Sequence, residues 1–212
     1  MASNVNKGYN PTKYSMFVVL ILDNFKGGPP CKFSDSDVLF LLDYLRDGKR
    51  VSRIDISRYL GIGEGSVRKL IELLKENNMV ETHQTGNTIK PYGIKLLETL
   101  DIKSVSVNVG GYVVGRYQQG VIVKDMAEKV FNGIAQRNAG IRAGGEGCTT
   151  WIMDQNNLLM MPAWNVDKND SLLSMKIRKS VEMEDGDVLI IGGGDTKRFA
   201  RLAAGSAALE LV

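Results

Sequence analysis

The sequence predicts an α+β protein of two units, a helical unit ending in a β-hairpin and a following unit of mixed helices and strands. Three observations lead there. Apolar residues recur at helical spacing between Ser34 and Asn78, and after Leu100 they give way to short β-branched runs. The 212 residues suffice for two compact units. The composition, 43% hydrophobic and 24% charged, is that of an ordinary globular chain and excludes disordered, collagenous and coiled-coil classes.

The first unit is delimited by start and stop signals. Ser34 and Asp37 form a Ser-x-x-Asp capping box ahead of Val38, Leu41, Leu42 and Leu45, and Asp47-Gly48 ends that helix. Ser52 with Asp55 starts a second, short helix on which Ile56, Tyr59 and Leu60 share a face before Gly61 stops it. A tight turn, Gly61 to Gly63, leads to a third helix with Val67, Leu70, Ile71 and Leu74 on one face, ending at Asn77-Asn78. Met79 to Thr82 and Thr88 to Lys90 are short β-like runs around a hairpin tip at Gln84-Thr85-Gly86-Asn87. Pro91 then opens a last helix carrying Ile94, Leu97 and Leu100. This order is that of a winged helix-turn-helix over residues 34–100, with the hairpin as its wing. Ahead of it, residues 1–33 are expected to hold a loose tail to Thr12, an extra helix within Tyr14 to Phe25 that could serve as a dimer contact, and a connector at Lys26 to Pro30.

The string from Ile56 to Leu70, with Leu60-Gly61-Ile62-Gly63-Glu64-Gly65-Ser66-Val67-Arg68 at its centre, resembles the helix-turn-helix of winged-helix transcription regulators. It is especially similar to the N-terminal module of the central glycolytic gene regulator and to uncharacterised archaeal winged-helix proteins. Those archaeal proteins also carry a C-terminal α+β domain of unknown role, to which Gln136-Arg137-Asn138-Ala139-Gly140-Ile141 and Gly193-Gly194-Asp195 look similar. The resemblance implies a DNA-binding regulator of transcription that acts as a homodimer on double-stranded DNA, with a small-molecule effector sensed by the second unit.

Helix geometry selects the residues that would meet DNA, since the third helix would enter the major groove by its N-terminal turn. Ser66, Arg68 and Lys69 lie on or near its exposed face. Arg68 suits guanine O6 and N7, whereas Lys69 and Lys75 suit phosphate oxygens. Arg53 and Arg58 on the second helix, with His83 and Lys90 on the wing, would clamp the backbone. The formal charge of +3 lies wholly in residues 1–100, which hold 14 Lys or Arg against 11 Asp or Glu. Glu64, Glu72 and Glu76 interrupt that basic surface.

The second unit, residues 101–212, reads as an α+β domain for effector sensing or dimerisation. Val105, Val107 and Val109 alternate with polar residues, and Tyr112 to Val114 and Val121 to Val123 are β-branched runs. Asp125 to Ala143 reads as a helix, Thr149 to Met153 and Leu158 to Met161 as a hairpin, Asp187 to Ile191 as a buried strand and Thr196 to Leu211 as a closing helix, with helices on one side of the strands. Gly192-Gly193-Gly194-Asp195 joins that strand to that helix, where backbone N–H groups could hold an anion and Asp195 would compete as the N-cap. The segment lacks both the P-loop and the G-x-G-x-x-G pattern. Arg137 and Arg142 are candidates for an acidic ligand.

Catalytic templates find little support. One histidine and two cysteines, Cys31 and Cys148, exclude two-histidine metal sites and zinc-ligand spacing, and no catalytic set, metal site or cofactor is expected. The longest apolar run, Met16 to Leu22, is far short of the roughly 20 residues of a membrane span, and no secretory signal is legible, so a cytoplasmic location without membrane association is expected. Two alternatives stand beside the regulator: an enzyme with an accessory winged helix, and a winged-helix protein-docking module. Archaeal riboflavin kinases combine such a helix with a catalytic barrel, but no Pro-Gly-Thr-Leu-Asn-like motif follows residue 100.

Overall fold

A computed structural model describes residues 33–212. The expected N-terminal tail, extra helix and connector lie outside the described residues, as does Cys31.

Helix α1, Asp35–Tyr44, starts where the capping box places it: Ser34 N–H donates to the Asp37 carboxylate at 2.8 Å, and the Ser34 side chain caps the N3 amide. Helix α2, Arg53–Leu60, is capped by Ser52, whose Oγ accepts from the Asp55 amide at 3.1 Å. Gly61 ends it in the left-handed region at φ 69°, as a C-cap glycine does. The turn delivers helix α3, Glu64–Glu76, which buries Val67, Leu70, Ile71, Leu73 and Leu74. The hairpin pairs β1, Val80–His83, with β2, Gly86–Ile89, in a register that sets His83 opposite Gly86. Its loop is therefore Gln84-Thr85 alone, and Gly86 and Asn87 are strand residues rather than part of the expected tip. Asn87, 1% exposed, explains the shift: its backbone pairs with Val51 across an antiparallel bridge and its side-chain amide donates to the Val51 carbonyl at 3.1 Å. Helix α4, Pro91–Leu100, has proline in its first turn, where the missing N–H costs nothing.

Residues 102–194 supply a six-stranded antiparallel sheet: β3 Ile102–Val105, β4 Tyr117–Val123, β5 Gly147–Asp154, β6 Asn157–Met160, β7 Trp164–Asn165 and β8 Val188–Gly194, in the spatial order β3-β4-β8-β5-β6-β7. Helices α5, Ile134–Arg142, and α8, Lys197–Leu209, cover one face, while α6, Val166–Asn169, and α7, Ser171–Ser180, pack on the other through Val166, Leu173 and Ile177 against Trp151, Leu189 and Ile191. Helices on both faces replace the expected single layer.

Two expected elements come out differently. The helix expected from Asp125 to Ala143 is a short 3-10 turn, Ala127–Lys129, followed by α5. Gly133 at φ 76° breaks the chain between them, and the Asn132 side chain accepts the Ile134 amide at 3.0 Å. The strand expected at Tyr112 to Val114 gives way to a 3-10 turn, Gly110–Tyr112, because Gly110 sits at φ 61°; Val107 and Val109 are buried without belonging to a strand. The β5–β6 hairpin forms as expected, with Gln155 and Asn156 at positive φ in the two-residue loop.

The two units share one core. A continuous cluster runs from α1–α4 through the alanine face of α8 (Ala203, Ala204, Ala207, Ala208) to Val121, Val123, Val188 and Ile190 on the sheet. Side chains also cross the junction. Arg198 of α8 forms an ion pair with Asp37 of α1 at 2.7 Å, Ser206 lies 3.0 Å from Ser36, and the Ser104 amide donates to Asp43 at 3.1 Å.

Candidate nucleic-acid interface

The N-terminal end of α2, the exposed face of α3 and the hairpin enclose a groove of about 480 Å³. Periodicity builds its floor. Glu64, Arg68, Glu72 and Lys75 recur at intervals of three and four on the exposed face of α3, with the buried Ile71 at the edge of the groove beneath them. The Val51–Asn87 bridge swings the hairpin over that face, so Thr82 to Asn87 make one wall and Ser52 to Ile54 the other.

Of the residues singled out from sequence, Arg53, Arg68, Lys75 and His83 line the groove together. Arg53, Arg68 and Lys75 are exposed. His83 is half-buried on β1, its Nε2 2.9 Å from Thr88 Oγ1 and 3.7 Å from the Glu81 carboxylate. Arg58, Ser66, Lys69 and Lys90 are not in the lining. Arg58 pairs with Asp55 at 3.5 Å, Lys90 bonds the Asn78 side chain, and Ser66 and Lys69 are half-buried.

Arg50 was not anticipated: its guanidinium donates to Thr85 Oγ1 at 3.1 Å, which sets a further cation beside the hairpin loop. Only the long-range pairing of Val51 with Asn87 brings it there, and no local pattern announces that pairing. Glu64 and Glu72 sit in the same groove as the cations, so the surface is mixed rather than uniformly basic.

The start of α3 is bare. Gly63 at its N-cap offers no side-chain hydrogen bond, and a Cβ added at Gly63 or Gly65 would meet nothing within 4 Å. Uncapped N–H groups at a helix start carry partial positive charge and favour an anionic partner.

The glycines singled out for an anionic ligand in the second unit do not form a loop at a helix start. Gly192, Gly193 and Gly194 lie within β8, paired to β4 and Gly192 and Gly193 also to β5, so they are ladder residues and not a loop at a helix start. Their composition has a steric cause. A Cβ would stand 2.4 Å from the Ala204 nitrogen at Gly192, 1.8 Å from the Val114 oxygen at Gly193 and 2.7 Å from the Ala200 nitrogen at Gly194. Thr196, not Asp195, caps α8, accepting from the Phe199 amide at 3.2 Å. Arg137 and Arg142 are exposed on α5, and Arg142 pairs with Glu210. Burial pushes the Cys148 thiol up to about 12, and its Sγ lies 3.3 Å from the Ala203 carbonyl, an arrangement that suits packing and not nucleophilic attack. Among the described residues, no three His, Cys, Asp or Glu side chains gather as metal ligands would, and no helix is long and apolar enough to cross a membrane.

Comparison with known proteins agrees with this architecture without assigning an activity. Residues 114–211, from just before β4 through α8, match the family described as a domain of unknown function (DUF4443). The chain is similar in structure to hypothetical protein PH0730 from Pyrococcus horikoshii OT3, with a TM-score of 0.68 and 24% identity over 85% of this chain and 93% of that one, a likeness of fold. No curated protein matches the chain.

Proposed function

We propose that the chain is a DNA-binding transcriptional regulator whose residues 34–100 act as a winged helix-turn-helix, with α3 as the recognition helix and the β1–β2 hairpin as the wing. One observation carries the reading: Arg53, Arg68 and Lys75, with Arg50 beside them, converge on a single groove between an exposed helix face and a hairpin. The 13 residues of α3 make a rod about 20 Å long, and a B-DNA major groove about 12 Å wide admits such a helix. In this reading Arg68 reads a guanine edge, and Arg50, Arg53 and Lys75 contact phosphates. The bare amides at the start of α3 take a further phosphate, and His83, Gln84 and Thr85 follow the hairpin along the adjacent backbone. Glu64 and Glu72 repel phosphates while remaining able to accept from cytosine N4, which favours selective over indiscriminate binding. The second unit senses an effector or pairs two copies so that two recognition helices reach successive major grooves, and the protein works in the cytoplasm.

The test is duplex binding at several salt concentrations. Arg68→Ala is expected to cost about 1 to 3 kcal/mol and to relax preference at one base pair, whereas Lys75→Ala weakens all duplexes alike and lowers the salt slope by about one. Unchanged affinity in both variants would overturn the assignment. Retained binding to a protein partner without any duplex binding would instead favour a docking module, for which the exposed Ile54 and the two acids of the groove are suited.

A further inference from the structure

The last two carbonyls of α2, those of Tyr59 and Leu60, find their side-chain donors on α8. The last carbonyls of a helix have no intrahelical donor and are usually met by a cap, water or a nearby cation. Here Gly61 takes the left-handed conformation and its N–H returns to the Ser57 carbonyl at 2.8 Å, but the Tyr59 and Leu60 carbonyls are met from outside. Arg198 Nη1 donates to the Leu60 carbonyl at 3.1 Å, and Arg201 Nη1 donates to the Tyr59 carbonyl. Both arginines belong to α8, three residues apart and so on one face of it.

Their other contacts make the attachment specific. The Arg198 guanidinium also grips Asp37 of α1 through both nitrogens, at 2.7 and 3.2 Å, so one planar fork fixes α8, α1 and the end of α2 to a single point. Asp37 is 3% exposed, and its carboxylate also accepts from Ser34 N–H. The Arg201 guanidinium lies 4.4 Å over the Tyr59 ring, which stacks on Tyr44 of α1 at 4.1 Å. A Cβ at Gly61 would stand 3.2 Å from Arg198 Cβ, so the α2–α3 turn itself rests on α8. A buried ion pair adds little net stability over a well-packed apolar contact, whereas its planar geometry fixes relative orientation closely.

We infer that α8 of the C-terminal unit is the clamp that orients α3, with Arg198 as a positioning residue for DNA recognition that touches no DNA. The claim rests on the DNA-binding reading for its second half only. The clamp fixes the turn at Gly61 to Gly63, the turn fixes the angle at which α3 leaves α2, and that angle decides whether Arg68 and the hairpin reach one duplex together. The sheet strands under α8, β4 and β8, thereby gain a mechanical route to the recognition helix.

Arg198→Lys and Arg198→Met in the full chain test this, read by amide hydrogen exchange and by affinity for a duplex that the wild type selects. Lysine keeps a charge on Asp37 but cannot fork to the Leu60 carbonyl. The expected result is faster exchange confined to residues 57–66 with β8 protection intact, together with a loss of about tenfold in duplex affinity for methionine and a smaller loss for lysine. Unchanged exchange at those amides in the lysine variant would overturn the clamp, and faster exchange with unchanged affinity would overturn its role in orienting α3. If the methionine variant fails to fold, the lysine variant and Arg201→Lys decide by the same two readings. A wild type that binds no duplex removes the DNA reading, and the exchange result then judges the clamp alone.

Discussion

Two glycine-rich segments, Gly61-Ile62-Gly63-Glu64-Gly65 before α3 and Gly192-Gly193-Gly194 in β8, look alike on paper and do opposite things. At Gly63 and Gly65 a side chain would meet open space; at Gly192, Gly193 and Gly194 it would collide with the backbone of α8 or of Val114. Glycine without a steric reason lowers helix stability and leaves the amides beside it uncovered. Glycine with a steric reason lets a helix and a strand approach closely. The first pattern leaves a surface that, under the proposed function, a DNA phosphate approaches, and the second marks the chain approaching itself. The anion cradle expected at Gly192 to Asp195 thus belongs to packing, while the bare helix start that an anion would favour lies at α3.

Substitution should separate the two segments sharply. Gly193→Ala carries the largest expected effect: a methyl 1.8 Å from the Val114 oxygen forces the 113–114 segment off the sheet, with a loss of more than about 3 kcal/mol in urea unfolding. A loss below about 1 kcal/mol would show that the sheet yields there, and the contrast between the segments would fail. Gly65→Ala should act in the other direction, stabilising the fold by about 0.5 kcal/mol because alanine is the better helix former. The same variant should weaken duplex binding by about 1 kcal/mol, because the added methyl stands on the open surface beside the amides and keeps a phosphate from closing its hydrogen bond to one of them. Gain in stability with no loss of affinity would mean that nothing approaches the start of α3.

A smaller effect distinguishes the packed region by pH. Burial raises the Asp167 carboxyl, but hydrogen bonds from Arg178, Ser174 and the Leu158 amide outweigh it and hold the group down to about 2, from an ordinary 3.8. A depressed carboxyl contributes stability that is complete above 3.8 and fades as the pH falls toward 2. The difference in urea midpoint between wild type and Asp167→Asn should therefore be constant above that range and shrink within it. A constant difference down to pH 2 would contradict the α7 contacts described, and DNA affinity above pH 5 should be indifferent to the substitution.

The first half was largely legible because its signals are local. Ser34, Ser52 and Gly61 cap helices from within three or four residues, and the apolar spacing of Val67, Leu70, Ile71 and Leu74 gives α3 its buried face directly. What depended on distant pairing was not legible. The hairpin register follows from Asn87 meeting Val51, 36 residues away, and that contact also recruited Arg50. Helix α7 is a local exception: Asp170 caps the Leu173 amide at 3.0 Å, and Leu173, Ile177 and Val181 face the second core at helical spacing. Of the candidate interface, the α3 residues Arg68 and Lys75 came from helix periodicity, whereas the convergence of Arg53 and His83 upon them required the fold.

The claim that the α3 groove reads duplex DNA is tested most directly by selecting bound fragments from genomic duplex DNA at two salt concentrations. The expected result is enrichment of a sequence with two half-sites about 10 base pairs apart, as a symmetric dimer requires, and affinity that falls steeply as salt rises. Absence of any enriched or salt-sensitive duplex at the lower salt would contradict it.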